Sequence, residues 1–573
     1  MTSPLADRPW LASYAPDVPA DVVVPDEPLT AALTRAAERF GGRTAIDFLG
    51  RGLTYRDLAR DVDRAAGALR DLGVVAGDRV AIALPNCTSH VVAFYAVLRV
   101  GAVVVEHNPV YSADELAHQL IDSGAVVVVC WQKTAPTVKA VQDRTAVRAV
   151  VVVDLAADMP FTKQFLLRLP VAKARTLRSQ LQGPVPDGTL DWRQLLHQAE
   201  PIAADHPFPV SSDVALLQYT GGTTGTPKGA ILTHRNLVAN AVQADAWTNM
   251  RQGAETVYGI LPFFHAFGLT LCMTFSVRIA ATMVAFPKFA PSAVLTAQKR
   301  LPATFMAGVA PMFDRIAAMA ADRGADLSTV RLAFAGAMPI SAATAARWEE
   351  RTGGLLIEGY GMTETSPLAV GNPCSTDRRP GTLGLPFPST EIRIVDVDDS
   401  TRDVEPGERG ELLLRGPQVF AGYWGRPEET ATVLLPGGWL RTGDVVVADD
   451  AGSLTLVDRT KEMIITGGFK VYPSQVEDLV RMMPGIADVA VVGVPAGEQG
   501  ERVVAAVVLD AGAPESASID LAAVRAWCEQ HLARYAIPRE LVVLDDLPRS
   551  AIGKVQRRVV REGLIAQRKT ASA

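Results

Sequence analysis

The sequence has few cysteines, no marked excess of one charge and no apolar leader at its amino end. Five scattered cysteines without a CxxC pair argue against a disulfide framework and a zinc site, and they fit a reducing cytosol. Lysine and arginine number 56 against 62 aspartates and glutamates, so the net charge of -6 creates no field that attracts polyanions. These absences argue against nucleic-acid partners and secretion, and they predict a cytoplasmic protein.

The 573 residues have an ordinary globular composition, 48% hydrophobic and 21% charged. This length predicts two or more domains. The stretch from Gly259 to Val277 has no acid, lysine or arginine and is long enough to span a bilayer. Because Pro262, His265 and Gly268 interrupt it, we predict a buried core segment instead.

The first third of the chain alternates helical and strand periodicity. Apolar residues at helical spacing predict a helix from Tyr55 to Leu72, and the run from Arg79 to Leu84 predicts a strand. A capping box over 112–115 opens a later helix, and a buried strand follows over 125–130. This alternation predicts a parallel sheet covered on both faces, with ligands beyond the carboxyl ends of its strands.

Turn-rich, strand-like sequence from Pro380 to Val457 predicts a small β region that completes the large domain. The pattern then becomes compact α+β, with a capping box expected over 474–477. We therefore predict an α/β fold. A large N-terminal domain of doubly wound sheets plus a small β subdomain spans 1–460, and a smaller mobile α+β C-terminal domain spans 461–573.

The stretch 159–178 contains five cations and no acid, interleaved with phenylalanine and leucine. One interpretation is contact with an anionic membrane, which would place the protein peripherally at the inner membrane surface. The other, which we favour, is a solvated connector, because Pro160 and Pro170 break any long helix.

The segment from Tyr219 to Gly229 is the strongest functional signal. Four glycines allow close backbone approach to an anion, four threonines supply hydroxyl donors and Lys228 adds a positive charge. A Walker A loop needs Ser or Thr after its lysine and Gly before it, whereas Pro227 and Gly229 stand there. The pattern predicts a polyphosphate-binding loop of another kind.

This loop resembles the signature of the adenylate-forming superfamily, which includes acyl-CoA synthetases. Further matching segments occur in the expected order, and the resemblance extends from about residue 30 to 560. They are Pro262–His265, Gly336–Pro339, Gly359–Glu364, Thr442–Asp444, Asp458–Glu462 and Pro548–Lys554.

The resemblance implies that a carboxylate reacts with Mg-ATP to give an acyl-adenylate and pyrophosphate. A fatty carboxylate is already ionised at pH 7, so the step needs cations that mask anion repulsion rather than a base. By resemblance, Lys554 bridges the carboxylate and the α-phosphate, Thr363 contacts that phosphate, and Thr220 and Glu364 hold Mg²⁺. The phosphates further contact Lys228 and the loop residues Gly221, Gly222, Thr223, Thr224 and Gly225.

For the nucleoside, the resemblance implies that Tyr360 stacks on adenine opposite Gly336 and Ala337. Asp444 and Arg459 contact the ribose. The other nucleotide-site residues implied are Met338, Glu358, Gly359, Gly361 and Met362.

For the second half-reaction, the resemblance implies that CoA attacks the adenylate after the small domain turns about a hinge at Lys461. Gly467 and Gly468 then line a tunnel for the pantetheine arm. The expected substrates are a fatty acid, ATP and CoA, and the oligomeric state stays open.

The identity of the acid is less constrained. His265 resembles the residue beside the substrate carboxylate, and an apolar acyl pocket is expected from Trp247, Gly268, Leu269, Gly308, Val309, Ala310, Met338 and Met362. Leu269 stands where some long-chain members have a tryptophan gate, so chain length stays open. The alternatives are an acyl-AMP ligase that stops at the adenylate, an aryl-acid CoA ligase, and a non-catalytic binding protein.

Overall fold

The strands as far as Arg459 form three sheets, and two small sheets follow, the first of which pairs Ile464–Thr466 with Phe469–Val471. The structure is a computed structural model, and it describes residues 3–220, 227–338, 340–466, 469–496, 501–550 and 553–571.

The first large sheet confirms the predicted alternation of strands and helices. Six of its strands run parallel to one another, and their buried positions are largely valine, leucine, isoleucine and alanine. In spatial order its eight strands are Gly422–Tyr423, Lys228–Thr233, Val214–Thr220, Val103–Glu106, Arg79–Ala83, Val127–Trp131, Ala149–Val153 and Leu190–Asp191.

The second large sheet is parallel at its centre and antiparallel at both edges. It packs against the first sheet through one continuous hydrophobic core. Its nine strands are, in order, Leu385–Pro386, Leu368–Gly371, Leu355–Gly361, Leu332–Ala335, Phe305–Gly308, Thr256–Gly259, Thr282–Ala285, Thr44–Phe48 and Arg51–Thr54.

The third sheet is the predicted small β region. It is antiparallel throughout and comprises Glu391–Val395, Arg409–Arg415, Leu434–Leu435, Trp439–Ala448 and Leu454–Arg459. Its last strand leads directly into the small C-terminal domain.

The helices cover both faces of the two large sheets. Ser112 and Glu115 form the predicted capping box. The helices are Thr30–Phe40, Tyr55–Asp71, Thr88–Val100, Ala113–Ser123, Ala135–Val141, Phe161–Leu167, Ala172–Leu181, Trp192–Gln198, His234–Thr248, Pro291–Gln298, Ala310–Arg323, Ala342–Thr352 and Pro427–Val433.

The stretch from Gly259 to Val277 is largely buried, as predicted. It contains the helical turns Ala266–Gly268, Leu269–Thr274 and Phe275–Arg278. None of the helices in the described parts of the chain is both long and apolar enough to cross a bilayer.

The small C-terminal domain has a three-stranded sheet, Ile486–Pro495, Glu501–Leu509 and Glu540–Val543. Alternate strand residues face two separate cores, which gives each strand a period of two. The helices Pro473–Arg481 and Leu521–Glu529 cover one face, and the helix Arg557–Ala571 covers the other.

The capping box expected over 474–477 is wrong. The helix begins at Pro473, after Tyr472, without a side-chain cap, so Ser474 lies inside the first turn, where its amide donates to Asp458. The Glu477 carboxylate is also engaged elsewhere. It accepts hydrogen bonds from the Val491 amide at 2.8 Å and from the Arg557 guanidinium at 2.6 Å.

Candidate active site

The predicted phosphate loop lies between two antiparallel strands. Thr220 ends one strand and Lys228 begins the next, and the two residues stand opposite each other, so both ends of the loop lie at one place. Gly221, Gly222, Thr223, Thr224 and Gly225 lie outside the described residues.

The Lys228 ammonium forms an ion pair with Glu429 and lies 5.1 Å from the centre of the Tyr423 ring. Tyr423 belongs to the short strand that extends the same sheet. The first large sheet therefore presents a cation and an aromatic hydroxyl beside the loop.

Glu364 stands next to this group. It lies on the turn Thr363–Thr365, which packs against the strand that begins with Lys228, and only 6% of it is exposed. The Tyr423 hydroxyl donates a hydrogen bond of 2.6 Å to its Oε1. Burial raises the pKa of Glu364, while Tyr423 and the positive charges of Arg459 and Lys461 oppose that rise.

Asp444 and Arg459 are paired by strand register. They stand opposite each other on two antiparallel strands of the third sheet, and Arg459 Nε lies 2.9 Å from Asp444 Oδ1. The Tyr360 hydroxyl donates a hydrogen bond of 2.6 Å to the other oxygen, Oδ2. A single buried carboxylate thus joins the second large sheet to the third.

Glycines allow tight packing around Tyr360. A Cβ on Gly361 would meet the Pro367 carbonyl oxygen at 1.7 Å, and one on Gly336 would lie 3.1 Å from the Phe267 ring and 3.2 Å from the Gly359 oxygen. Ala337 has a φ of 66°, in the left-handed region. Gly336 and Gly361 therefore leave no room for a larger side chain, and the stacking of adenine at this wall stays a prediction.

Three further residues are implied for the nucleotide site. One accepts hydrogen bonds from backbone amides, and the other two are partly buried. The Glu358 carboxylate accepts hydrogen bonds from the amides of Gly381 at 2.7 Å and Ile340 at 3.3 Å, so it braces the strand end. Met338 and Met362 are partly buried against the main core.

Lys554 reaches this region from the small domain. It follows a turn in which Gly553 has a φ of 82°, and the Ser550 amide donates a hydrogen bond of 2.8 Å to the Lys554 carbonyl. Burial and the nearby Arg459 lower the pKa of Lys554 to about 8, although Glu462 and Asp444 act in the opposite direction. The predicted catalytic lysine therefore shares its surroundings with the predicted ribose pair.

His265 begins the helical turns at the end of a strand of the second sheet. Its Nδ1 accepts a hydrogen bond of 3.3 Å from the Phe267 amide. Burial lowers the pKa of His265 to about 4, so the ring is neutral at pH 7. The preceding residue, Phe264, is fixed by a hydrogen bond of 2.9 Å from Gln218 to its carbonyl.

Two of the residues expected to line the acyl pocket are packed in the core. Trp247 stacks on Phe387 at 4.6 Å between ring centres and donates a hydrogen bond to the Asn372 carbonyl, and Leu269 is fully buried. Of the expected lining residues, Val309 alone lines the large cavity, of about 1290 Å³, that the structure does contain.

A second group was missed from the sequence: an ion-pair cluster around Arg557. Its guanidinium contacts Glu477 at 2.6 Å, Ser474 Oγ at 2.8 Å and Asp458 at 3.7 Å, and it forms an ion pair with Glu462. Asp458 also accepts a hydrogen bond of 2.7 Å from the Ser474 amide. The cluster joins the end of the third sheet to the small domain, three residues from Lys554, and only the fold could reveal it because its members are up to 99 residues apart.

The two remaining predictions concern the connection between the domains. Lys461 is exposed and lies one residue before Glu462. Gly467 and Gly468 lie outside the described residues.

The donor set fits a magnesium ion that arrives with a nucleotide. Within the described ranges there is no group of three or more His, Cys, Asp or Glu side chains that could hold a metal by themselves. Mg²⁺ is commonly bound by one or two protein oxygens together with substrate phosphates and water. The Glu364 carboxylate and the Thr220 hydroxyl beside the phosphate loop are oxygens of that kind.

Comparison with known families agrees with this geometry. Residues 33–424 match the family described as AMP-binding enzyme, and residues 475–554 match the AMP-binding enzyme C-terminal domain. The chain belongs to the AMP-binding enzyme family. Lys228, Tyr360 and Glu364 lie within the first matched range and Lys554 ends the second, whereas Asp444 and Arg459 lie between the two ranges.

Individual relatives are similar over nearly their whole length. A long-chain-fatty-acid–CoA ligase of Escherichia coli O157:H7 is 38% identical over 560 residues, covering 96% of this chain and 98% of the relative. A feruloyl-CoA synthase of Amycolatopsis sp. is 37% identical over 522 residues, covering 90% and 95%. The crystal structure of ATP bound MatB from Rhodopseudomonas palustris has a TM-score of 0.78 at 29% identity, covering 94% and 99%.

Proposed function

We propose that this protein is an AMP-forming acid–thiol ligase that converts a fatty acid, ATP and CoA into acyl-CoA, AMP and pyrophosphate. The observation that carries the proposal is the electrostatic interaction of Lys554, from the small domain, with Asp444 and Arg459, which form an ion pair in the large domain. A cation beside a pair that can bind ribose and a loop that can bind phosphates would neutralise negative charge when a carboxylate attacks a nucleotide.

In the first half-reaction, a carboxylate oxygen attacks the α-phosphorus of ATP. A new oxygen–phosphorus bond forms, and the bond to the pyrophosphate oxygen breaks with its electron pair. The Lys554 ammonium neutralises the two anions as they approach, Thr363 donates to the α-phosphate, and Lys228 with the loop residues holds the leaving pyrophosphate. The neutral His265 lies beside the carboxylate.

Nucleotide binding comes from the sheet-borne groups. Asp444 and Arg459 hold the ribose, and Tyr360 with the small-residue wall holds adenine. Glu364 and Thr220 would hold Mg²⁺, which would supply positive charge to the phosphates.

In the second half-reaction, the CoA thiol attacks the acyl carbon. A carbon–sulfur bond forms, AMP leaves with the electron pair, and the thiol proton passes to water. We propose the division at residues 460 and 461, with Lys461 as the hinge and Gly467 and Gly468 in the pantetheine tunnel. The Arg557 cluster supports a defined arrangement of the two domains before any such turn.

The choice of a fatty acid rests on the fatty-acid ligases among the relatives and on the apolar character of the site. An aryl acid is the second candidate, because the feruloyl-CoA synthase is nearly as similar. A protein that stops at the acyl-adenylate is a third.

We also propose peripheral contact with an anionic membrane through 159–178. Phe161 and Phe165 are 79% and 59% exposed, and Arg168 and Arg175 are exposed beside them. Co-sedimentation with phosphatidylglycerol vesicles, but not with phosphatidylcholine vesicles, is expected. Binding should weaken for Phe161→Ser with Phe165→Ser, whereas equal binding to both vesicle types would contradict the proposal.

The test of the main function measures two products for a panel of fatty and aromatic acids. We expect acid-dependent exchange of labelled pyrophosphate into ATP, and CoA-dependent release of AMP that is greatest with a fatty acid. Exchange without acyl-CoA would identify an acyl-AMP ligase, and faster turnover of an aromatic acid would identify an aryl ligase. No exchange with any acid would contradict adenylate formation.

A further inference from the structure

The lysine expected to hold the leaving pyrophosphate is paired with an acid of the protein itself. Lys228 forms an ion pair with Glu429, and the two side chains are 32% and 42% exposed. A phosphate that approaches the Lys228 ammonium therefore meets a carboxylate at the same cation. Because like charges repel, this carboxylate must weaken the binding of a phosphate there.

Glu429 is held at this place by backbone contacts. Its helix, Pro427–Val433, is fixed to the preceding short strand by the Tyr423 amide, which donates a hydrogen bond of 2.9 Å to Thr430 Oγ1. That strand pairs with the strand that begins with Lys228. The position of the ion pair is thus set by a helix and two strands as well as by two flexible side chains.

Glu429 also has a second cation within reach. Arg426 Nε lies 3.7 Å from Glu429 Oε1, and the Arg426 guanidinium donates a hydrogen bond of 2.7 Å to Asp122. Asp122 accepts another hydrogen bond, of 2.8 Å, from the Tyr219 hydroxyl at the opposite end of the predicted phosphate loop. Positive and negative groups therefore alternate from Lys228 to Tyr219. A Glu429 carboxylate that leaves the lysine keeps a cationic partner.

The position in the helix does not by itself explain the contact with the lysine. Acids in the first turn of a helix interact favourably with its dipole, and Glu428 and Glu429 both lie there. Glu428 is exposed, and within the described part of the chain it forms no ion pair. Of the two acids, Glu429 is the one that contacts Lys228 and Arg426.

We propose that Glu429 competes with pyrophosphate for Lys228 and thereby sets how firmly this product is held. The inference rests on the proposed function and assigns Glu429 as a positioning residue that acts through Lys228. A site that binds the β- and γ-phosphates of ATP also binds the pyrophosphate formed from them, so strong binding would slow product release. The competing carboxylate weakens both bound states and leaves the α-phosphate, where the bonds change, untouched.

The first test measures binding without turnover, in the absence of any acid substrate. Glu429→Gln keeps the size of the side chain and removes its charge. We expect the dissociation constants for Mg-pyrophosphate and Mg-ATP, measured by titration calorimetry, to fall about threefold to fivefold, the range that exposed ion pairs allow. The dissociation constant for AMP, which lacks the outer phosphates, should stay unchanged.

Two further variants separate competition for the lysine from simple repulsion. Glu428→Gln is the matched control, because it removes the same charge from the neighbouring position, and it should leave all three dissociation constants unchanged. Lys228→Ala removes the contested cation. Adding Glu429→Gln to Lys228→Ala should therefore change pyrophosphate binding by less than about twofold.

Steady-state turnover gives a second measurement. Inhibition by added pyrophosphate should become stronger in Glu429→Gln by the same factor as its binding, whereas the KM for the fatty acid should stay unchanged. A change of the fatty-acid KM as large as the change for pyrophosphate would contradict an effect confined to Lys228.

An unchanged or raised dissociation constant for Mg-pyrophosphate in Glu429→Gln would overturn the proposal. An equal gain in the Lys228→Ala background, for AMP, or with Glu428→Gln would overturn it too, because each would mean general repulsion. Absence of acid-dependent pyrophosphate exchange in the parent protein would instead contradict the proposed function. The binding constants do not depend on turnover, so the two failures are distinguishable.

Discussion

The candidate site has a sheet-borne half, on strands of the large domain, and a turn-borne half, on a turn of the small domain, and the two halves are held in different ways. Asp444 and Arg459 face each other across two hydrogen-bonded strands, and Tyr360 is fixed to the same carboxylate from a neighbouring sheet. Lys554 follows a short turn of the small domain, and the charges that act on it come from both domains, Asp444 and Arg459 from the large one and Glu462 and Arg557 from the small one. The groups proposed to bind the nucleotide are therefore preorganised, whereas the position of the proposed reacting cation depends on how the two domains meet.

The largest expected effect comes from Lys554→Ala, which removes the turn-borne cation alone. Pyrophosphate exchange should fall by at least about 100-fold, because the charge acts on the developing transition state. Thioester formation from supplied acyl-AMP should be nearly unchanged, because that step has no incoming carboxylate. Parallel measurement of both half-reactions checks this prediction. Equal loss of both half-reactions would show that the lysine and the strand residues do not act separately.

Asp444→Asn tests the sheet-borne half and should affect both half-reactions. The KM for ATP should rise by about tenfold to a hundredfold, since hydrogen bonds to charged groups contribute about 1.5–3 kcal/mol. Use of supplied acyl-AMP should weaken similarly because it contains the same ribose. If the variant lost pyrophosphate exchange but still used supplied acyl-AMP, Asp444 would act by positioning Lys554 and not by binding the ribose.

The smallest expected effect is a pH dependence that belongs to the turn-borne half. Because burial and Arg459 lower the pKa of Lys554 to about 8, the ammonium is present below pH 8 and is lost above it. Exchange should therefore fall about tenfold per pH unit well above pH 8, while thioester formation from acyl-AMP should lack this limb.

Lys554→Arg provides the control for this profile, because a guanidinium stays charged throughout the range. The residual exchange of that variant should be flat across pH 8 to 9. A falling limb that persists in the arginine variant would assign the titration to another group.

Local sequence predicted much of the fold and of the site. Capping residues and periodicity located the helix at Tyr55 and the strand at Arg79 within one residue at each end. The segments around Lys228, Glu364, Asp444 and Lys554 could be recognised because each is short and contiguous. The expectation at 474–477 was wrong because the helix begins at Pro473, so Ser474 lies inside its first turn, and Glu477 has tertiary donors.

Long-range contacts could not be predicted from local patterns. Tyr423 lies 59 residues from the Glu364 that it holds, and Arg557 lies 80 residues from Glu477. The cavity of about 1290 Å³ combines the stretch 155–181, two sheet ends and one residue of the small domain. Its lining residues are far apart in the chain, so no local sequence pattern could have indicated the cavity.

The sequence by itself determined which chemical groups are available: a loop for phosphates, an acid and an arginine for a sugar, and a lysine after glycine. Only the tertiary structure decided that Asp444, Arg459 and Lys554 interact, and that five cations and no acid line one largely apolar cavity. The physical reason is that composition and spacing fix local conformation, whereas charge interactions depend on distances that strand register and domain packing set.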